Sequence, residues 1–306
     1  GAWVEQRNFR GKGETLRGEV GAFYKQDAMV SWHRPWLFGV DGLDLTVLGF
    51  GESAGFVFRP FDYRKYELGF EPKWTFLGPL FMLAEARYGQ FQQLDDYTWD
   101  LPARGDDSPG GAAYYAEGKD NYWLFRGGLG VDTRNNPYYP AGGVFGQIET
   151  GRWSSNEFDS YNQFIADARV FVPMPWKKHV LAMRAWGRQV DGPAHLDNLL
   201  YFGGPETIRG YPYASREGDN GYLLSAEYRM PLFLMPISPQ GEIVGFGFHL
   251  FTDAGDAWFE GADPVKSMFS YGAGAHLNVT RFQLRFEAAR TREGEWMFEF
   301  MDRFNF

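Results

Sequence analysis

The residue types that carry most enzyme chemistry occur in this chain at spacings that build no catalytic site. The five histidines follow neither the H-x-x-x-H nor the H-E-x-x-H spacing of a metal site. The absence of cysteine excludes a thiolate ligand, a cysteine nucleophile and a disulfide scaffold. No glycine-rich stretch continues into the Gly-Lys-Ser/Thr of a phosphate-binding loop. The sequence therefore predicts a protein that is not an enzyme and has no catalytic residue, cofactor site or metal site.

Acidic pairs and scattered histidines leave two weaker interpretations open. Asp95–Asp96 and Asp106–Asp107 lie in a polar stretch with Gly and Pro, where calcium is conceivable but a solvated loop is favoured. His249 and His276 both fall on the inward parity of predicted strands. A polar inner-face histidine is favoured there over a metal ligand.

The clearest electrostatic feature is a pair of acids on neighbouring predicted strands. Neighbouring residues of a strand point to opposite faces. Glu227 therefore shares a face with Arg229, and Asp253 shares one with His249. The apolar residues of both strands take the other face, so the two carboxylates converge on the inner side. Taken without any further information, this pattern favours two ordinary inner-face acids and an exposed loop arginine at Arg209.

The elements that must position these side chains are β-strands, because period-two alternation runs along nearly the whole chain. The predicted strands are long, about nine to eleven residues, which is enough to cross hydrocarbon when tilted. About fourteen are predicted, with a partial fifteenth at Trp3–Phe9. The fourteen are Thr15–Lys25, Ala28–Arg34, Leu43–Phe50, Tyr66–Phe70, Leu80–Phe91, Tyr122–Val131, Val144–Trp153, Phe164–Val172, Val180–Gln189, Tyr222–Met230, Val244–Phe251, Tyr271–Leu277, Phe282–Arg290 and Trp296–Phe304.

Two architectures fit such strands, a soluble sandwich and a transmembrane barrel. Short connections such as Arg10–Gly13 alternate with long ones such as Gln92–Asn121 and Val190–Gly221, which is typical of periplasmic turns and extracellular loops. Aromatic residues, 19% of the chain, cluster at strand ends like the girdles of a barrel. We therefore predict an all-β fold, a transmembrane antiparallel β-barrel. No composition break divides the chain, so one domain is expected over residues 1–306.

The formal net charge of −9, with no basic block, argues against a nucleic-acid partner. Phe304 and the terminal Phe306 end an alternating last strand and resemble the targeting signal of outer-membrane barrels. The alternative is simply an aromatic edge strand.

Four segments carry a family resemblance, in the same order as in the family. The chain resembles the barrel domain of the BamA, TamA and FhaC superfamily of outer-membrane assembly factors and two-partner secretion transporters. Asn8–Gly13 looks like the N-F/L-x-G-x-G turn, and Asp132–Gly143 is similar to the D-x-R periplasmic turn. Phe202–Tyr211 is close to G-G-x-x-x-V-R-G-F/Y, and Phe251–Trp258 matches F-x-D-x-G-x-x-W. The motif residues in these segments are Gly11, Gly13, Asp132, Arg134, Pro140, Gly203, Gly204 and Gly255.

The resemblance implies roles for the loop arginine and the two acids. In the family, the arginine of the loop motif folds down inside the barrel and bonds to the acid of F-x-D-x-G and to another on the adjacent strand. Carried over, these are Arg209, Asp253 and Glu227, with Gly210 and Tyr211 completing the loop tip. We call this implied arrangement the lumen lock.

The resemblance also implies a strand number, a location and a function. The family pattern is sixteen strands, so 14–16 are expected, with N-terminal strands missing or reduced and no POTRA domain in this chain. The implied location is the bacterial outer membrane, and the implied function is insertion or translocation of polypeptides. Expected partners are membrane lipid, a polypeptide substrate and other envelope proteins. The alternatives are an anchoring or secretion barrel for an N-terminal effector such as a patatin-like lipase, and a structural subunit of an envelope complex.

Overall fold

The long alternating segments of the sequence form the strands of one large antiparallel sheet. The computed structural model describes residues 2–22, 25–55, 62–94, 119–157, 159–176, 178–192, 194–238, 242–259, 266–280 and 282–301. The sheet contains, in order, β1 (Ala2–Phe9), β2 (Glu14–Ala22), β3 (Lys25–Arg34), β4 (Leu43–Gly55), β5 (Asp62–Phe76), β6 (Leu80–Gln93), β7 (Lys119–Asp132), β8 (Gly143–Ser155), β9 (Tyr161–Pro173), β10 (Val180–Val190), β13 (Asn220–Pro236), β14 (Ile243–Trp258), β15 (Met268–Thr280), β16 (Phe282–Thr291) and β17 (Trp296–Met301).

Each strand of this sheet lies beside the next along the chain, and β10 lies beside β13. The segment between those two forms its own small pair, β11 (Leu200–Phe202) with β12 (Arg216–Gly218). Two short 3-10 helices, Leu37–Gly39 and Leu196–Asn198, complete the described elements. None of the helices within the described residues is long and apolar enough to cross a membrane.

All fifteen predicted strands of the large sheet are confirmed within the described residues, and several are longer than predicted. β13 runs to Pro236, where the sequence predicts an end at Met230. The reason is a register shift between Pro231 and Phe233, which lets the strand continue past a proline. The β11–β12 pair was not predicted, since each of its strands has only three residues.

The chain divides into two compact units. One comprises Gly1–Gly130, Glu149–Phe164 and Val190–Asp197, and the other comprises Val131–Ile148, Ile165–Gln189 and Asn198–Phe306. This division does not test the expected single domain over residues 1–306, which stays a prediction.

The burial pattern in the second unit decides between sandwich and barrel, because polar side chains are buried and apolar ones exposed. In β16, Arg285 and Glu287 are buried, whereas Phe286 between them is 60% exposed. In β14, His249 and Asp253 are buried, whereas Leu250 is 52% exposed. A soluble sandwich buries its apolar face. This inverted order is what a barrel wall facing hydrocarbon requires.

The first unit contains a buried aromatic group around His195, which precedes the second 3-10 helix. The rings of Tyr122 and Trp153 stack at 4.1 Å between centroids, and His195 stacks on Trp153 at 5.5 Å. Phe91 contacts the same imidazole edge-on at 5.2 Å. Burial lowers the pKa of His195, so the ring is neutral among these aromatics.

Candidate functional site: a buried arginine cluster

The site is built by the loop between β10 and β13, which turns sharply at two glycines. Gly203 and Gly204 both have positive φ angles, 115° and 83°. The Gly204 N–H donates to the Tyr211 carbonyl over 2.7 Å, which closes the segment between them into a compact tip. Ile208 is fully buried against Phe202 and neighbouring apolar residues. Packing of Ile208 thus directs the next residue, Arg209, toward the inner face of the second unit.

Arg209 is fully buried, with 0% of its surface exposed, and its guanidinium contacts three carboxylates. Its Nε and Nη2 donate to the two oxygens of Asp253 over 2.6 and 2.9 Å, a bidentate pair. Its Nη1 donates to Glu227 Oε2 over 3.0 Å and to Glu287 Oε1 over 3.2 Å. The guanidinium carbon lies 3.6 Å from the ring centroid of Phe251, a cation–π contact. Four side chains from three strands therefore hold one loop residue.

Two more arginines complete the charge balance around these acids. Arg229 Nε donates to Glu227 Oε1 over 2.8 Å. Arg285 bonds to Glu227 Oε2 through Nη2 and to Glu287 Oε1 through Nε over 2.9 Å. We call the six residues the Arg209 cluster, and they are Arg209, Arg229, Arg285, Glu227, Asp253 and Glu287. Three guanidiniums face three carboxylates, so the buried site carries no net charge.

Electrostatics keep Arg209 charged in this environment. Burial by itself would lower the pKa of the guanidinium, but Asp253, Glu287 and Glu227 hold that pKa well above its ordinary value. Replacing a buried ion pair by apolar residues is often neutral for stability, whereas removing one partner typically costs about 3–5 kcal/mol. Removing one member of the cluster is therefore expected to cost more than the intact cluster contributes net.

Gly210 and Tyr211 extend the loop contacts beyond the cluster. Gly210 has a φ of 87°, and a Cβ there would lie 2.8 Å from Ala289 Cβ, so only glycine fits. Its N–H donates to Glu299 Oε2 over 3.1 Å. The Tyr211 hydroxyl donates to Glu293 Oε2 over 2.7 Å, away from the cluster.

The structure thus brings together the four residues Arg209, Gly210, Glu227 and Asp253. The Tyr211 hydroxyl instead bonds to Glu293, outside the Arg209 cluster. Sequence reasoning missed Glu287 as a partner of Arg209 and Arg285 as a further member of the cluster. The sequence does contain a signal for these two residues, because alternation in β16 places both side chains on the inner face. Alternation does not predict the strand register, and it is the register that sets Glu287 opposite Gly274 and within reach of the loop.

The remaining motif residues lie in turns. Gly11 and Gly13 have φ angles of 69° and 72° in the β1–β2 turn. In the β7–β8 turn, Asp132 accepts hydrogen bonds from the backbone and guanidinium of Arg134. The carbonyl of Pro140 in that turn accepts from Arg229 Nη1 over 3.5 Å.

Gly255 in β14 provides space for the loop, since a Cβ there would lie 2.9 Å from Ile208 Cδ1. The predicted targeting residues Phe304 and Phe306 lie outside the described residues, as do the acidic pairs at residues 95–96 and 106–107.

The end of strand β4 contains a serine flanked by glycines at the spacing of a catalytic motif. The prediction that the sequence contains no G-x-S-x-G nucleophile elbow overlooks Gly51-Glu52-Ser53-Ala54-Gly55, which has the letters of that motif. That elbow requires a sharp turn between a strand and a helix. These five residues instead end the strand β4, so the motif builds no elbow here.

A metal ion is disfavoured at the cluster. Glu227, His249 and Glu287 each place one ligand atom within 4.8 Å of the others. The same carboxylates already accept from Arg209, Arg229 and Arg285. A cation would have to displace guanidiniums or lie beside them, which like-charge repulsion opposes.

An antiparallel sheet with an exposed apolar face and buried inner charges defines a class, the transmembrane β-barrels of the outer membrane. An Omp85 superfamily domain matches residues 8–306, and the chain belongs to the Omp85 superfamily. It is an Omp85-type barrel of the bacterial outer membrane.

Solved structures with this fold cover nearly the whole chain. BamA from Haemophilus ducreyi lacking POTRA domains 1–3 is 14% identical, with a TM-score of 0.77 over 98% of this chain and 66% of that one. CdiB from Acinetobacter baumannii is 14% identical, with a TM-score of 0.61 over 97% and 55% of the two chains. CdiB from Escherichia coli is 12% identical, with a TM-score of 0.62 over 97% and 57%. The chain thus spans somewhat more than half of the length of these proteins. No curated protein sequence gives a significant match.

Proposed function

We propose that this barrel inserts polypeptides into the outer membrane or translocates them across it, with its inner loop held by Arg209 as a lumen lock. The observation that carries the proposal is the buried Arg209 cluster. A charged side chain with no exposed surface needs several strong partners to offset its lost hydration. The loop that supplies Arg209 is therefore held at one defined position on the inner face.

Family membership supports the same function. Omp85 superfamily barrels handle polypeptides at the outer membrane and associate with other envelope proteins. For this chain, membrane lipid, a polypeptide substrate and envelope proteins are proposed as the partners. The proposed role requires no covalent chemistry. The barrel would act by guiding a chain and by perturbing the bilayer.

The function is tested by reconstituting the chain in phosphatidylethanolamine–phosphatidylglycerol vesicles and adding a urea-denatured outer-membrane barrel protein. We expect the added protein to fold faster than with empty vesicles, measured as the fraction that reaches its protease-resistant, heat-modifiable form. An Arg209→Ala barrel should lose most of this acceleration.

The matched control is Arg169→Ala in the same unit. Arg169 also makes a bidentate pair, with Asp167, but Arg169 is only half-buried and lies outside the cluster. Acceleration with this variant should match the unmodified chain. Equal folding rates with empty and loaded vesicles would contradict the proposal and favour an anchoring or purely structural barrel.

A further inference from the structure

A chain of hydrogen bonds connects the β7–β8 turn to the Arg209 cluster. The Tyr139 hydroxyl lies 3.3 Å from His276 Nε2, and His276 Nδ1 lies 3.1 Å from His249 Nδ1. His249 Nε2 lies 2.7 Å from Glu287 Oε1, the oxygen that also accepts from Arg209. We call this series the Tyr139 relay. All four of its side chains are buried.

The partners of the relay fix the position of every proton in it. Glu287 is ionised between two guanidiniums and can only accept, so His249 Nε2 must carry a hydrogen. A neutral His249 then offers a bare Nδ1, to which His276 must donate from its own Nδ1. The bare Nε2 of His276 finally accepts from the Tyr139 hydroxyl. Each donor in the relay has an acceptor, and all the bonds point toward Glu287.

Both rings are neutral in this arrangement because the charges around them are already balanced. Facing the pair are Arg209 of the loop, Glu227 and Arg229 of β13, Asp253 of β14, and Arg285 and Glu287 of β16. These make three positive and three negative groups. A protonated histidine would add an unbalanced buried charge, and protonation of His249 would also put two hydrogens between the facing Nδ1 atoms.

Two glycines make room for the imidazoles. Gly274 lies opposite His249 across β14 and β15, and a Cβ there would lie 2.7 Å from His249 Nε2. Gly247 lies opposite His276 in the same ladder, and a Cβ there would lie 2.9 Å from His276 Nε2. Each ring therefore packs over the glycine of the neighbouring strand, so a side chain at either position would displace a relay nitrogen.

The turn end of the relay is also held in place. Asn136 Oδ1 accepts from the backbone N–H groups of Tyr138 and Tyr139, which fixes the tip of the turn. The guanidinium of Arg229 lies 5.1 Å from the ring centroid of Tyr139 and bonds to the Pro140 carbonyl. The turn thus reaches the cluster through both an arginine and a tyrosine.

We infer that Tyr139, acting through His276 and His249, is a positioning residue that fixes Glu287 Oε1 for Arg209. In an antiparallel sheet, the β7–β8 turn and the loop after β10 leave opposite ends of the strands. The relay therefore couples a turn at one end of the barrel to the loop that enters from the other. This inference rests on the proposed function, because it specifies how the proposed lumen lock is held from both ends.

The test reads the two histidines directly. In the full chain, in detergent and ¹⁵N-labelled at histidine, we expect His249 as the neutral Nε2–H form and His276 as the neutral Nδ1–H form. Tyr139→Phe keeps the ring but removes the donor, so His276 should keep its Nδ1–H form while the ¹⁵N signal of its bare Nε2, now without a hydrogen bond, shifts. The ¹⁵N signals of His249, which Tyr139 does not touch, should then shift as well. Hydrogen exchange of loop residues 204–211 should become severalfold faster.

Tyr228→Phe is the matched control, because the Tyr228 hydroxyl bonds to His179 Nδ1 over 2.9 Å outside the relay. It should change the signals of His179 and leave His249 and the loop exchange unchanged. An Nε2–H or charged His276 in the unmodified chain would overturn the inference without any variant. So would a Tyr139→Phe chain with unaltered His249 signals. Neither readout depends on polypeptide insertion, so failure here is distinct from failure of the proposed function.

Discussion

Replacing Arg209 by alanine is expected to lower the free energy of unfolding by about 3–5 kcal/mol, while the strands of the barrel still form. The substitution leaves three buried carboxylates facing two guanidiniums, and Asp253 loses its bidentate partner. The measurement is urea unfolding of the detergent-solubilised chain, followed by tryptophan fluorescence and by the heat-dependent shift in gel mobility. Arg169→Ala, which breaks a half-buried pair, should cost about 0–1 kcal/mol.

The same charge balance predicts strong non-additivity. Asp253→Ala leaves three guanidiniums facing two carboxylates, so it should destabilise the chain about as much as Arg209→Ala does. The double variant removes one charge of each sign and restores the balance, so it should be no worse than either single variant. Additive losses in the double variant, or an Arg209→Ala chain as stable as Arg169→Ala, would mean that the cluster does not hold the loop.

Replacing Leu250 by arginine is expected to cost about 2–4 kcal/mol of folding free energy in lipid. Leu250 lies on the outer face of β14, between the buried His249 and Phe251, and is 52% exposed. If that face contacts hydrocarbon, the guanidinium loses its hydration and finds no partner. Unfolding in phosphatidylcholine vesicles measures the cost.

Leu77→Arg is the matched control for this substitution. Leu77 is 80% exposed, but it lies in the turn between β5 and β6, outside the strands. The same chemical change should cost about 0–1 kcal/mol near the membrane interface. Equal effects at positions 77 and 250 would show that the outer face of β14 does not lie in the membrane.

These two expected effects have opposite physical origins. At Arg209 the loss arises from removing one charge of a balanced, buried set. At Leu250 the loss arises from adding one charge to the outer, apolar face, where it has no partner of opposite charge. A barrel in lipid is sensitive to both changes, since its charges are inside and its apolar surface is outside.

The sequence by itself determined the fold class, the strand order along the chain and the face on which each side chain lies. Alternation is a local property, because neighbouring residues of a strand must point to opposite sides. It therefore placed Glu227, Asp253 and His249 on the inner face before any contact was known. It could not set strand ends near Pro231, where a bulge lets β13 continue.

Only the tertiary structure decided which of the inner-face residues meet. Arg209 and Glu287 are 78 residues apart, and their contact depends on three strand registers and on the fold of the loop. The relay from Tyr139 to His276 joins residues 137 apart. Local sequence patterns carry no information about such distances, because pairing register and loop closure are properties of the whole sheet. The arginine was therefore identified by its motif, whereas its third acid, its two companion arginines and the histidine pair required the structure.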